Sequence, residues 1–189
     1  AHDAIAPSNV TVDYITWAAK GDAVDFGDAS VSRSQCGSGS STTRGYLYGG
    51  ATGPSELASI DYFTIGSTGN ATDFGDISSG AQSNAQGGSS STRGVHGGGY
   101  NSSDQLVNII SYITIASTGD STDFGDLTVA RSDHAGASNG IRAGFFQGNG
   151  DQTTCDFVTI ATTGNAADFG DTTIVGRNAR AIAEGHGGL

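Results

Sequence analysis

The sequence lacks most of what catalytic and nucleic-acid-binding chains display. Only 8 of its 189 residues are Lys or Arg, against 19 Asp and Glu, for a formal charge of −11. Phosphate backbones need a basic footprint, so the charge argues against nucleic acid as a partner. It argues against an anionic membrane surface for the same reason. No run approaches the roughly 18–20 apolar residues of a membrane span, so no membrane insertion is expected. Methionine is absent and no signal segment is visible, so the chain is expected to begin after processing or to be a piece of something longer. The two cysteines, Cys36 and Cys155, have no metal-ligand spacing between them. Aromatics make up 8% and hydrophobic residues 35%, a lean core beside 31 glycines. That composition alone would also suit a low-complexity chain.

What is present rules out low complexity. Asp-Phe-Gly-Asp occurs four times, at Asp25–Asp28, Asp73–Asp76, Asp123–Asp126 and Asp168–Asp171. Fixed-period self-similarity is the mark of repeat architectures. Upstream of each copy lies an aromatic segment centred on Tyr14, Tyr62, Tyr112 or Phe157, and a Gly-containing turn joins the two. Downstream, Arg44, Arg93, Arg142 and Arg180 each open a small-residue stretch. Apolar and polar residues alternate with period two through Tyr112-Ile113-Thr114-Ile115 and its counterparts, as in strands. Gly with Asn or Asp then turns the chain as hairpins require. Each unit reads as about four short strands, with repeats at approximately 1–50, 51–99, 100–150 and 151–189 and no helical stripe. The expected fold is all-β: a single domain over 1–189, a β-propeller of four blades with about four antiparallel strands each. A parallel β-helix, or an open array completed by other chains, are its rivals.

The frame of a Gly-Gly strand end, an aromatic strand, a turn and a following Arg resembles a kelch repeat. Tyr112-Ile113-Thr114-Ile115-Ala116-Ser117-Thr118-Gly119, followed by Asp123-Phe124-Gly125-Asp126, is similar to kelch-like repeats of phage and cyanophage virion proteins. The resemblance covers essentially the whole chain. Unit two departs from the pattern, with Ala81 where Arg33 and Arg131 stand, and unit four is shortened, with Arg177 only approximately in register. The resemblance implies a virion or extracellular location and a non-enzymatic role as a tail, neck or head fibre-type module. Its partners would be host-surface glycans or other virion proteins, and a homo-oligomer is compatible with it. A secreted lectin-like β-propeller is the alternative, and a polysaccharide hydrolase a weaker one.

Three residue sets are candidates for roles. Asp28, Asp76, Asp126 and Asp171 are expected to pair with Arg44, Arg93, Arg142 and Arg180 in a structural ladder between blades. The pairs Asp25/Asp28, Asp73/Asp76, Asp123/Asp126 and Asp168/Asp171 sit in loops with a further Asp or Asn, a hard-oxygen pattern that Ca²⁺ could use. Turn chemistry explains the same residues without a metal, so no cofactor is required. The aromatics that do not repeat, Tyr46, Tyr48, Tyr100, Phe145 and Phe146, are the binding candidates, because recurring aromatics read as packing. No catalytic set is expected: the four histidines are scattered and read as exposed or strand-end groups, and a carboxylate repeated at four equivalent sites does not make an asymmetric active site. Cys155 aligns with apolar positions and reads as a small core residue; Cys36 reads as a free thiol.

Overall fold

The computed structural model describes residues 10–149, 152–176 and 180–183. The described residues form eighteen strands and no helix, and no helix among them is long and apolar enough to cross a membrane. Every strand pairing is antiparallel. The all-β expectation holds.

The chain opens with a hairpin of β1 (Thr11–Tyr14) and β2 (Val24–Asp28). Sheet I combines β3 (Gly37–Ser40) and β4 (Arg44–Tyr48) with β7 (Ser59–Thr64) and β8 (Thr72–Asp76). A side ribbon of β5 (Ala51–Thr52) and β6 (Ser55–Glu56) lies between them in sequence. Sheet II is built the same way from β10 (Gln86–Ser89), β11 (Arg93–Gly97), β13 (Ile109–Thr114) and β14 (Thr122–Asp126), with β9 (Gln82–Ser83) and β12 (Tyr100–Asn101) as its ribbon. Sheet III is β15 (Ala135–Ser138), β16 (Arg142–Gly148), β17 (Gln152–Thr159) and β18 (Ala167–Asp171).

This arrangement corrects the expected four blades in two ways. Three four-stranded sheets and three two-stranded ones are present, and no closed ring is seen among the described residues. Each large sheet also straddles a repeat boundary. Its small-residue and Arg-bearing strands come from one unit, and its aromatic and Asp-Phe-Gly-Asp strands from the next. A glycine-rich link at Gly49-Gly50 or Gly98-Gly99 carries the chain across, each glycine with positive φ; Gln147 (φ 61°) and Gly148 occupy the same place in sheet III.

The sheets are stacked, and the core lies between them. Tyr46, Tyr48, Ile60 and Phe74 of sheet I pack against Ile113 and Ile115 of sheet II. Val95, Ile110 and Phe124 of sheet II pack against Phe145, Val158 and Ile160 of sheet III. Along one side the small-residue strands β3, β10 and β15 lie against one another. A Cβ at Gly136 would collide with the Gly87 backbone, so glycine sets how close these strands come. A ladder of hydroxyls crosses the same gap. Ser89 Oγ donates to the Ser40 carbonyl at 3.0 Å, and Ser138 Oγ to the Ser89 carbonyl at 2.9 Å.

Candidate functional site

The recurring residues meet at the junctions between successive sheets, so the junctions are where function must be sought. The Asp-Phe-Gly-Asp strand lies at the far edge of each sheet, and in the first hairpin and sheets I and II the next unit's hairpin turn seals that edge with backbone bonds. Gly69 N–H donates to the Phe26 carbonyl and Ala71 N–H to that of Asp28. Gly119 and Ser121 do the same to Phe74 and Asp76, and Gly164 and Ala166 to Phe124 and Asp126, every one at 2.7 or 2.8 Å. A side chain completes the clasp. The N–H groups of Asp28, Asp76 and Asp126 donate to Oδ1 of Asn70, Asp120 and Asn165 at 3.1, 2.9 and 3.1 Å. The motif glycine is required at this approach. A Cβ on Gly27, Gly75 or Gly125 would run into the facing turn, and each has φ near +140°.

The expected ladder is replaced by a different one. The two ion pairs among the described residues are Arg33–Asp61 and Arg131–Asp156, both buried. Arg33 donates through Nη2 to Asp61 Oδ2 at 2.8 Å and through Nη1 to the Gly49 and Ser59 carbonyls at 3.0 Å. Asp61 also accepts the Ser30 N–H at 2.9 Å. Arg131 pairs with Asp156 and donates to the Thr154 carbonyl at 2.8 Å, while Asp156 accepts Thr128 Oγ1 at 2.7 Å. Burial works against the Arg131 charge, and the Asp156 carboxylate holds it in place.

Arg44, Arg93 and Arg142 do not pair with Asp28, Asp76 and Asp126. Their guanidiniums stack on Tyr62, Tyr112 and Phe157 of the same sheet, 4.2, 4.5 and 4.6 Å from the ring centres. The first two also reach forward: Arg44 donates to the Ile115 carbonyl at 2.9 Å and Arg93 to that of Ala161 at 3.0 Å. Flexible cations suit a stacked, carbonyl-binding role because planar guanidinium satisfies both contacts at once. Arg180 is exposed, and Arg177 lies outside the described residues. Asp171 accepts a hydrogen bond from Thr153 Oγ1 at 2.8 Å.

Two aspartates of the metal reading turn inward on their own backbone. Asp25 Oδ1 accepts Gly27 N–H at 3.0 Å, and Asp168 Oδ1 accepts Gly170 N–H at 2.8 Å. Among the described residues, no three His, Cys, Asp or Glu side chains converge to hold an ion. Asp73 and Asp123 are exposed.

Three of the five aromatic binding candidates are core residues. Tyr46, Tyr48 and Phe145 are buried in the junctions. Tyr46 and Tyr48 embrace His96, which is itself buried. The Tyr46 hydroxyl and His96 Nε2 share a hydrogen bond of 2.9 Å, and the Tyr48 ring stacks on the imidazole at 4.6 Å. Burial drives His96 down to about 3, helped by nearby His134. Burial and Arg131 drive His134 to about 3 as well. These histidines are neutral core groups rather than exposed ones. Burial pushes the Tyr48 hydroxyl up to about 12. Tyr100 is half-buried and its hydroxyl accepts from Asn149 Nδ2. His2 and His186 lie outside the described residues.

Phe146 lines an open cleft. With Arg142, Gly144, Phe157, Phe169 and Ile182 it surrounds about 170 Å³ on the outward side of sheet III. The cleft offers aromatic faces and one guanidinium, a surface for packing rather than for proton transfer. The recurring aromatics behave as packing groups: Tyr14–Phe26, Tyr62–Phe74, Tyr112–Phe124 and Phe157–Phe169 meet edge to face at 5.8–6.0 Å. Both cysteines are free, and Cys155 is buried as a small core residue.

Asp61 and Asp156, the groups that receive the buried arginines, were missed by sequence reasoning. A signal for them exists within the repeats. Where unit two replaces the Arg33 position with Ala81, the Asp61 position becomes Ser111, so both partners vanish together. No protein-family model matches the chain, and no curated protein sequence matches it significantly.

Proposed function

We propose that this chain is a non-enzymatic structural and adhesive module of a virion or other extracellular particle, an open array of kelch-like blades that binds host-surface glycan or another particle protein. Each large sheet has a blade's anatomy: a small-residue strand on one side, an Arg strand, an aromatic strand, and an Asp-Phe-Gly-Asp strand at the far edge. One observation carries the non-enzymatic reading. The side chains best suited to chemistry are spent on holding sheets together: His96 between two tyrosines, and Arg33 and Arg131 on carboxylates that also cap Ser30 and Thr128. Groups buried and committed in this way are out of a substrate's reach.

The resemblance to phage kelch-like repeats supplies the virion setting, and it is an analogy of sequence pattern. The test is incubation with a panel of bacterial surface polysaccharides and with the neighbouring particle proteins. Saturable binding without new reducing ends is expected. Reproducible hydrolysis that disappears on substituting an acidic residue would sink the reading.

A further inference from the structure

Each junction joins two unlike faces. The outgoing face is the Asp-Phe-Gly-Asp edge of one sheet with that sheet's Arg strand; the incoming face is the aromatic strand and turn of the next sheet. The described residues make this junction three times, and among them one face of each kind is left spare.

The spare outgoing face is on sheet III. Phe169 is 66% exposed, whereas its counterparts Phe74 and Phe124, covered by the next unit, are 3% and 2% exposed. A Cβ on Gly170 would meet nothing, although it would collide at Gly27, Gly75 and Gly125. Arg142 stacks on Phe157 but lacks the forward carbonyl that Arg44 and Arg93 find.

The spare incoming face is on the first hairpin. Ile15 and Trp17 stand where Ile113 and Ile115 cover Phe74, and where Val158 and Ile160 cover Phe124. They are 54% and 94% exposed. Gly21, Asp22 and Ala23 stand where Gly119, Asp120 and Ser121 clasp the edge.

We infer that the two spare faces bind each other between copies of this chain, in a head-to-tail contact that repeats the internal junction. In that contact Phe169 packs under Ile15 and Trp17 of the next copy. The Phe169 and Asp171 carbonyls accept from Gly21 and Ala23, Asp171 N–H donates to Asp22 Oδ1, and Arg142 reaches the Trp17 carbonyl. The occupant is identified by continuity: a second copy supplies, position for position, the groups that fill this place three times already. Such a contact is heterologous, so it adds copies in a row instead of stopping at a symmetric dimer. The inference goes beyond the adhesive role and stands whether or not that role is correct.

Trp17 is the one tryptophan, so its fluorescence reads the contact directly. With rising protein concentration, emission is expected to shift to the blue while sedimentation velocity shows mass growing past one chain. Trp17→Asp blocks the incoming face and Phe169→Asp the outgoing face, so each variant alone is expected to stay monomeric. Mixed in equal amounts, they retain one complementary pair of faces and are expected to give a single species of twice the mass. Circular dichroism confirms folding; if Phe169→Asp does not fold, Asp22→Ala, an exposed change, is expected to weaken wild-type self-association several-fold. A wild-type chain that stays monomeric at all concentrations overturns the inference, as does a mixture that never dimerises. A blue-shifted Trp17 independent of concentration also overturns it, because the two faces then close within one chain.

Discussion

The middle junction and its two neighbours do the same structural task with opposite chemistry. Between the first hairpin and sheet I, and again between sheets II and III, a buried arginine crosses to a buried carboxylate. Between sheets I and II the arginine is Ala81 and the carboxylate Ser111. There Ser78 N–H donates to Ser121 Oγ at 3.0 Å, and the Tyr46–His96–Tyr48 stack fills the gap. The backbone clasp is the same at all three. The clasp therefore sets the stacking, and the side-chain pair is exchangeable as long as both partners change together. Losing one half of a buried pair is what the fold cannot absorb.

Acid is expected to separate the junctions most strongly. His96 and His134 are held neutral in the folded chain, near 3, against an ordinary value of 6.5. The unfolded chain binds more protons between those values, so stability is full above pH 6.5 and is lost as the pH falls toward 3. The slope is about 1.4 kcal/mol per pH unit for each histidine. Urea midpoints across this range should show it, and His96→Phe should remove one histidine's share. A flat profile would mean that neither histidine is buried.

Asp156→Ala should cost about 3–5 kcal/mol, because it strands the Arg131 charge in the interior. The counterpart Ser111→Ala in the middle junction should cost far less, since removing a neutral hydroxyl strands no charge. Comparable losses at the two sites would end the distinction between junction types. Copying the middle junction into the outer one, as Arg131→Ala with Asp156→Ser, should show a favourable coupling of about 1–3 kcal/mol relative to the two single changes. Additive losses would mean that the pair does not act as a unit. Arg93→Ala, which removes one stacked guanidinium, should lower stability by only about 0.5–1 kcal/mol. Smallest of all, Ca²⁺ or a chelator should leave the melting temperature unchanged, because Asp25 and Asp168 already cap their own turns.

Much of the architecture was legible in the repeats. Period-two alternation around Tyr112 and the Gly turns marked antiparallel strands, and the recurring aromatics marked packing. Where the sheets divide was not legible. A repeat period says how often a pattern returns but not which half of one unit pairs with which half of the next. The binding aromatics were misjudged for a related reason. Tyr46 and Tyr48 do not recur because each junction fills its gap in its own way, with bulk on one sheet set against a small residue on the other. Tyr46 fits only because Gly94 faces it. Lack of repetition therefore marked local packing rather than exposure. Phe146 kept its open position because nothing among the described residues covers that side of sheet III fully.

The serine ladder along β3, β10 and β15 gives the stack a spine. Ser40, Ser89 and Ser138 link the three sheets on one side only, while the opposite edge is held by turn clasps of three bonds each. A stack fastened along two separate lines resists twisting as well as pulling. Under tension it parts at one plane at a time, between sheets rather than within one.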